Sequence, residues 1–93
     1  MILSFGDKDT ELLFNRVRVR KLPLEISLRA RNKLLIINAA ASENDLQIPP
    51  GNHFEKLKGD KKAWRSIRIN AQWRIVFRWI NGNAHDVTVT DYH

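Results

Sequence analysis

Hydrophobic and polar positions change their spacing once along this chain, near residue 53. Before it, apolar residues recur every three to four positions, as on helices; after it they alternate, as on half-buried strands. Ile2-Leu3-Ser4-Phe5 reads as a short first strand. Asp7 or Asp9 can cap a following helix, because a carboxylate accepts from the unpaired N–H groups at its start, and Leu12, Leu13 and Phe14 give that helix its apolar contacts. Arg16-Val17-Arg18-Val19-Arg20-Lys21 alternates and is heavily charged, so strand, exposed loop and frayed helix end all remain open. Pro23 suits the first turn of a second helix from about Leu24 to Ala41, since its missing N–H costs nothing there. Leu28, Leu34 and Ile37, with Ala30 and Ala41, fall near one face at helical spacing. Leu35 and Ile36 widen the apolar stripe beyond what one sheet needs, which hints at a covered surface or a partner. Ser42 with Asp45 three residues on resembles a capping box and predicts a single turn near Leu46.

Pro49-Pro50-Gly51-Asn52 breaks helix and opens a loop. Beyond it the reading is Phe54–Leu57 as a short strand, Gly59-Asp60-Lys61-Lys62 as its end, and Ala63–Ile69 as the next strand. Asn70-Ala71-Gln72 connects to a strand over Trp73–Ile80, Asn81-Gly82 is a strong hairpin signal, and His85–Thr90 is the last strand. The expected fold is α+β, with two N-terminal helices packed on one face of a small, mainly antiparallel sheet. The whole chain, residues 1–93, is read as one domain.

Alternation in Trp73–Ile80 sends Trp73, Ile75, Phe77 and Trp79 one way and Arg74, Val76 and Arg78 the other. The first set belongs against the helices. The second sets two guanidinium groups on the uncovered face. Arg65 and Arg68 differ in parity, so only one of them can join, and the sequence leaves the register open. Lys56, Lys58, Lys61 and Lys62 flank a loop of the same sheet.

Composition adds a charge. Sixteen Lys and Arg against ten Asp and Glu give a net charge of +6, which favours nucleic acid, an anionic surface or an acidic partner. The absence of cysteine excludes a disulfide framework, a thiolate nucleophile and a cysteine zinc site. No apolar run is long enough for a membrane span, no leader is expected, and a cytoplasmic protein is compatible with this. The chemistry-bearing segment is Asp91-Tyr92-His93, which follows directly on the last strand. It offers a carboxylate, a phenol and the imidazole best suited to proton transfer near neutral pH.

These pieces, taken in order, resemble the HigB toxins, a branch of the RelE-like superfamily of toxin–antitoxin ribonucleases. The resemblance runs through Met1-Ile2-Leu3-Ser4-Phe5, Leu57-Lys58-Gly59-Asp60, Trp64-Arg65-Ser66-Ile67-Arg68-Ile69, Trp73-Arg74-Ile75-Val76-Phe77 and Asp91-Tyr92-His93, and so spans essentially the whole length. It implies a ribosome-dependent endoribonuclease that cuts mRNA in the A site by attack of the 2′-hydroxyl, needs no metal or other cofactor, and is neutralised by a helix-turn-helix antitoxin. Operator DNA would be bound only through the antitoxin complex, with the 70S ribosome and mRNA as the other partners.

Carried over residue by residue, His93 is the leading acid–base group, Asp91 helps position it, Tyr92 stacks on a base or donates a proton, and Arg74 stabilises the phosphate. Lys58, Arg65, Arg68, Arg78, Lys56 and Lys61 form the RNA-binding set. One position departs from the family. Where relatives carry a histidine two residues before Leu-Lys-Gly-Asp, this chain has Glu55. Either Glu55 acts as general base, or it only pairs with a lysine and the site is weaker. The latter would make the protein a weakly catalytic ribosome- or RNA-binding module acting within an antitoxin complex. His53 reads as a surface residue and His85 as structural or solvated.

Overall fold

The computed structural model describes residues 1–57, 59 and 63–91. Tyr92, His93, Lys58 and Lys61 lie outside the described residues. Helix α1 covers Lys8–Phe14, α2 covers Leu24–Ala39 and α3 is the single turn Glu43–Leu46; a 3-10 turn follows at Pro50–Asn52. Strands β1 (Glu55–Lys56), β2 (Trp64–Arg68), β3 (Trp73–Ile80) and β4 (Asn83–Asp91) form one antiparallel sheet in the order of the chain.

Local chemistry sets the helix starts. The Asp7 carboxylate accepts from the Thr10 N–H at 2.9 Å and so caps α1. The Asp45 carboxylate reaches back to the N–H groups of Ala41 and Ser42, at 2.8 and 3.3 Å, and fixes the start of α3. At the β2–β3 turn the Asn70 side chain accepts from the N–H groups of Gln72 and Trp73, both at 2.8 Å, the usual way an Asn side chain stands in for a backbone turn. Asn81 and Gly82 both take positive φ, as a two-residue hairpin needs.

Ala30, Leu34 and Ile37 of α2 pack with Ile67, Ile75, Phe77 and Val87 in a core without solvent contact. Each fully buried large side chain there contributes about 1.5–3 kcal/mol of transfer free energy. Two expectations for α2 are corrected. The helix ends at Ala39, and Leu28 and Ala41 are exposed; Ile26, Ser27 and Ala40 take the buried positions instead. The helix carries apolar residues in two directions, and the direction of Leu28 is not the one that meets the sheet.

Ile2–Phe5 is not a full strand. It touches β4 through two isolated parallel bridges, Ile2 to Ala84 and Phe5 to Val87. Side-chain hydroxyls fasten the same end: Ser4 Oγ accepts from the Asp86 N–H and Thr10 Oγ1 from the Val89 N–H, each at 2.9 Å. The Arg16–Lys21 segment is neither strand nor helix.

β4 also departs from regular alternation. Val76 faces Thr88 but Arg78 faces His85, so Asp86 and Val87 together oppose Phe77 in a bulge, with Asp86 at φ 53°. Without the extra residue the alternation would turn Ala84 to the outer face. With it, both Ala84 and Val87 are fully buried.

Candidate active site on the open face of the sheet

Register assigns the charged residues to faces. In an antiparallel pair, residues directly opposite share a face. Arg68 lies opposite Arg74, Ser66 opposite both Val76 and Glu55, and Trp64 opposite Arg78. Thr90 and His85 flank Arg74 and Arg78 from β4. The outer face therefore carries a row of Arg68, Arg74 and Thr90, then Glu55, Ser66, Val76 and Thr88, then Trp64, Arg78 and His85. The open question between Arg65 and Arg68 is resolved in favour of Arg68.

Arg74 and Arg78 share this face, as their spacing requires, yet they are not two equivalent solvated cations. Arg74 is only 8% exposed. Its Nε donates to Ser66 Oγ at 3.0 Å, its Nη2 donates to the His53 carbonyl at 2.7 Å, and the Glu55 carboxylate lies 3.8 Å away. Both hydrogen-bond acceptors are neutral, and Glu55 is largely exposed. A hydroxyl and a carbonyl thus help hold the guanidinium at the edge of solvent, within ion-pair distance of Glu55. The Arg74 position is therefore a correction to the expectation of an uncovered arginine; the loop ahead of β1 covers it.

That loop is built for the purpose by Asn52. Its side chain is fully buried and its Nδ2 donates to the carbonyls of Leu46 and Ile48, at 3.1 and 3.2 Å. Its Oδ1 accepts from the Lys33 ammonium of α2. Burial, then the nearby Arg29 charge, lowers the Lys33 pKa from its ordinary value. One residue further, His53 takes a left-handed conformation with φ 44° and turns its carbonyl to Arg74. The role of His53 here belongs to its backbone. Ser66 and Asn52 are positioning residues that the sequence reading passed over. The parity of Ser66 with Arg68 was the one signal for the first; nothing local marked the second.

The remaining basic residues are placed differently. Arg65 lies opposite Phe77, and Lys56 opposite Arg65, so both belong to the helix side. Both pair with Glu43 of α3: Arg65 through Nε, Lys56 at 3.6 Å. The hydrogen bond from Arg65 is the main cause that lowers the Glu43 pKa, outweighing desolvation, which acts the other way. Arg78 pairs with Asp86 at 2.7 Å on the surface, so the bulge supplies its counter-charge. Asp91 lies opposite Trp73, on the helix-side parity, and accepts from Gln72 Nε2 at 3.1 Å. The described structure thus brings Arg74, Arg68 and Glu55 together and sets Arg65, Lys56 and Asp91 apart from them.

Among the described residues no helix is long and apolar enough to cross a membrane, and no group of three or more His, Asp or Glu side chains converges to hold a metal ion.

Comparison with known proteins agrees with this architecture. Residues 3–93 match the model of the HigB-like toxins, described as the RelE-like toxin of the type II toxin-antitoxin system HigB. The chain is 46% identical over 85 residues to Toxin HigB-1 of Vibrio cholerae serotype O1, covering 90% of each. It is 36% identical over 95 residues to Endoribonuclease HigB of Proteus vulgaris, covering both in full. Among solved structures, the YoeB dimer of Staphylococcus aureus superimposes with a TM-score of 0.63 at 16% identity, over 99% of this chain and 97% of that one; at that identity the likeness speaks for the fold. By sequence and by architecture, the chain belongs to the HigB-like toxins of type II toxin–antitoxin systems.

Proposed function

We propose that this toxin is a cytoplasmic endoribonuclease that cuts mRNA in the ribosomal A site without a metal ion, and is neutralised by a helix-turn-helix antitoxin whose complex holds the operator. One observation carries the reading: a guanidinium on the outer face of the sheet, positioned by Ser66 Oγ and the His53 carbonyl, with Arg68 beside it and the Glu55 carboxylate 3.8 Å away. A relative with 36% identity carries the name Endoribonuclease HigB, which supports the same reaction here.

Cleavage needs three things: a base for the 2′-hydroxyl, an acid for the leaving oxygen and positive charge on the phosphorane. The 2′-oxygen attacks phosphorus and its proton passes to the base. The bond to the 5′-oxygen then breaks, leaving a 2′,3′-cyclic phosphate and a 5′-hydroxyl that takes its proton from the acid. Arg74 is suited to the phosphorane, because a planar fork held in place loses little freedom on meeting phosphate oxygens. Glu55, at the edge of solvent, is the proposed base. His93 is the proposed acid, with Tyr92 stacking on a base and Asp91 setting the direction of the tail. Lys58, Arg68, Arg78 and Lys61 hold the RNA backbone, with Arg65 and Lys56 at the rim beyond Glu43. With so few acid–base groups, the ribosome supplies the in-line geometry of the message.

The test is primer extension on translated and naked mRNA with the parent, His93→Ala, Arg74→Ala and Glu55→Gln. The expected result is new 5′ ends only on translated message, with loss in all three variants. Folded His93→Ala and Arg74→Ala proteins that cut like the parent would remove the proposed site. A second reading rests on Glu55 standing where relatives carry histidine: a toxin that binds the ribosome without cutting. It predicts ribosome binding with no new 5′ ends from the parent.

A further inference from the structure

Helix α2 has a second apolar face. Leu24, Leu28, Arg31 and Leu35 recur at i, i+4, i+7 and i+11, a single stripe on a helix. It is turned away from the core: Leu24 is 58% exposed, Leu28 59% and Leu35 40%. Beside its first half lies a groove of about 390 Å³, closed on the other side by the segment that follows α1. This is within the usual range of ligand and anchor pockets, roughly 300–1,000 Å³. Val17, itself exposed, adds to the apolar wall, and Arg16 and Arg18 stand at the rim with Arg31. No acidic residue lines it.

Two polar atoms buried behind the groove lack partners. Ser27 is 6% exposed and its Oγ is buried without a hydrogen bond, as is Arg31 Nε. Buried donors are normally paired; the two residues line the groove, but these atoms are shielded from it.

We propose that this groove docks an acidic, leucine-bearing segment of the antitoxin, aliphatic side chains on Leu24 and Leu28 and a carboxylate among the guanidinium groups of Arg16, Arg18 and Arg31. The proposal rests on the antitoxin partnership stated above. Charge complementarity selects this occupant. RNA would satisfy the arginines but brings no aliphatic group for the leucines. A second copy of the chain would set arginine against arginine, in a protein of net charge +6. An acidic peptide with an apolar side chain satisfies both.

The experiment is calorimetric titration of the toxin with the antitoxin encoded beside its gene, at two salt concentrations. Leu28→Asp is expected to weaken binding by about thirtyfold or more, as loss of an interface anchor does, and Arg31→Gln by roughly tenfold. Both variants should keep native circular dichroism and parental mRNA cleavage, and parental affinity should fall with added salt. Variants that bind the antitoxin like the parent would overturn the docking surface while leaving the partnership intact. Failure of the parent to bind would overturn the partnership, and this surface with it. Lost ribosome binding with antitoxin affinity unchanged would assign the groove to RNA and overturn the proposal as well.

Discussion

Arg74 and Arg65 stand on neighbouring strands, each close to a glutamate, and they do opposite things. Arg65 meets Glu43 in direct contact, and Lys56 joins the same carboxylate, so two cations and one anion close on each other on the helix side. Arg74 is bound by a hydroxyl and a carbonyl, while its glutamate stays 3.8 Å off and largely exposed. The first arrangement spends its charge on fixing α3 to the sheet. The second fixes the side chain with a hydroxyl and a carbonyl and leaves its glutamate at the exposed edge of the outer face. Position within the pleat decides which arginine has which fate: one residue of parity separates a fastening from a candidate catalytic group.

The contrast can be broken most sharply at Arg74. Arg74→Ala is expected to slow mRNA cleavage on the ribosome by about 10²–10³-fold, the usual loss when one preorganised donor to a developing charge is removed. Arg65→Ala should cost less than about tenfold in the same assay, since its charge is already met. Equal losses would mean the two sites are not distinct. Next in size is Asn52→Ala, which leaves the Leu46 and Ile48 carbonyls and the Lys33 ammonium without their partner. Urea denaturation should show a loss of about 1–3 kcal/mol. Cleavage should fall with it, because the loop that carries the His53 carbonyl to Arg74 loosens.

Glu43→Gln tests the other side. A carboxylate whose pKa is depressed in the folded state adds stability that is fully present above its unfolded value and is lost as pH falls through the folded one. The parent should therefore exceed the variant by roughly 1 kcal/mol at neutral pH, and the gap should close in acid, below the ordinary value of 4.5. A gap that persists there would place the effect in packing instead. The smallest change is expected for Arg78→Ala: the Asp86 pair is well exposed on both sides, so stability should move by about 0.5 kcal/mol or less.

Much of this was legible in the sequence. β3 runs over Trp73–Ile80 as its alternation requires, and the Asn81-Gly82 turn and the Asp45 cap hold their expected places. These are local signals, complete within a few residues. Grouping Leu28 with Ile37 on one face overlooks the helical period itself, which sets residues nine apart on opposite sides, so the exposure of Leu28 was legible. Parity gives Arg74 a side, and burial on that side depends on a loop about twenty positions earlier, which local pattern does not reveal. The bulge at Asp86 is marked by two consecutive polar residues, His85 and Asp86, between Ala84 and Val87, but a strand read from His85 onward does not include Ala84 and so misses it. The choice between Arg65 and Arg68 needed the register, which is a property of two strands together. What local pattern cannot carry is any relation between segments.

The parallel bridges from Ile2 and Phe5 to β4 have a consequence for how the toxin comes into being. The hydroxyls of Ser4 and Thr10 bond partners 82 and 79 positions further along the chain, so this segment has no docking site until β4 has been made. Contacts of such long sequence separation slow folding, and β3 buries its inner face only when the helices and β4 are both present. The sheet therefore stays unfinished until β4 has been made. The core that backs the Arg74 face is completed only after β4 has been synthesised.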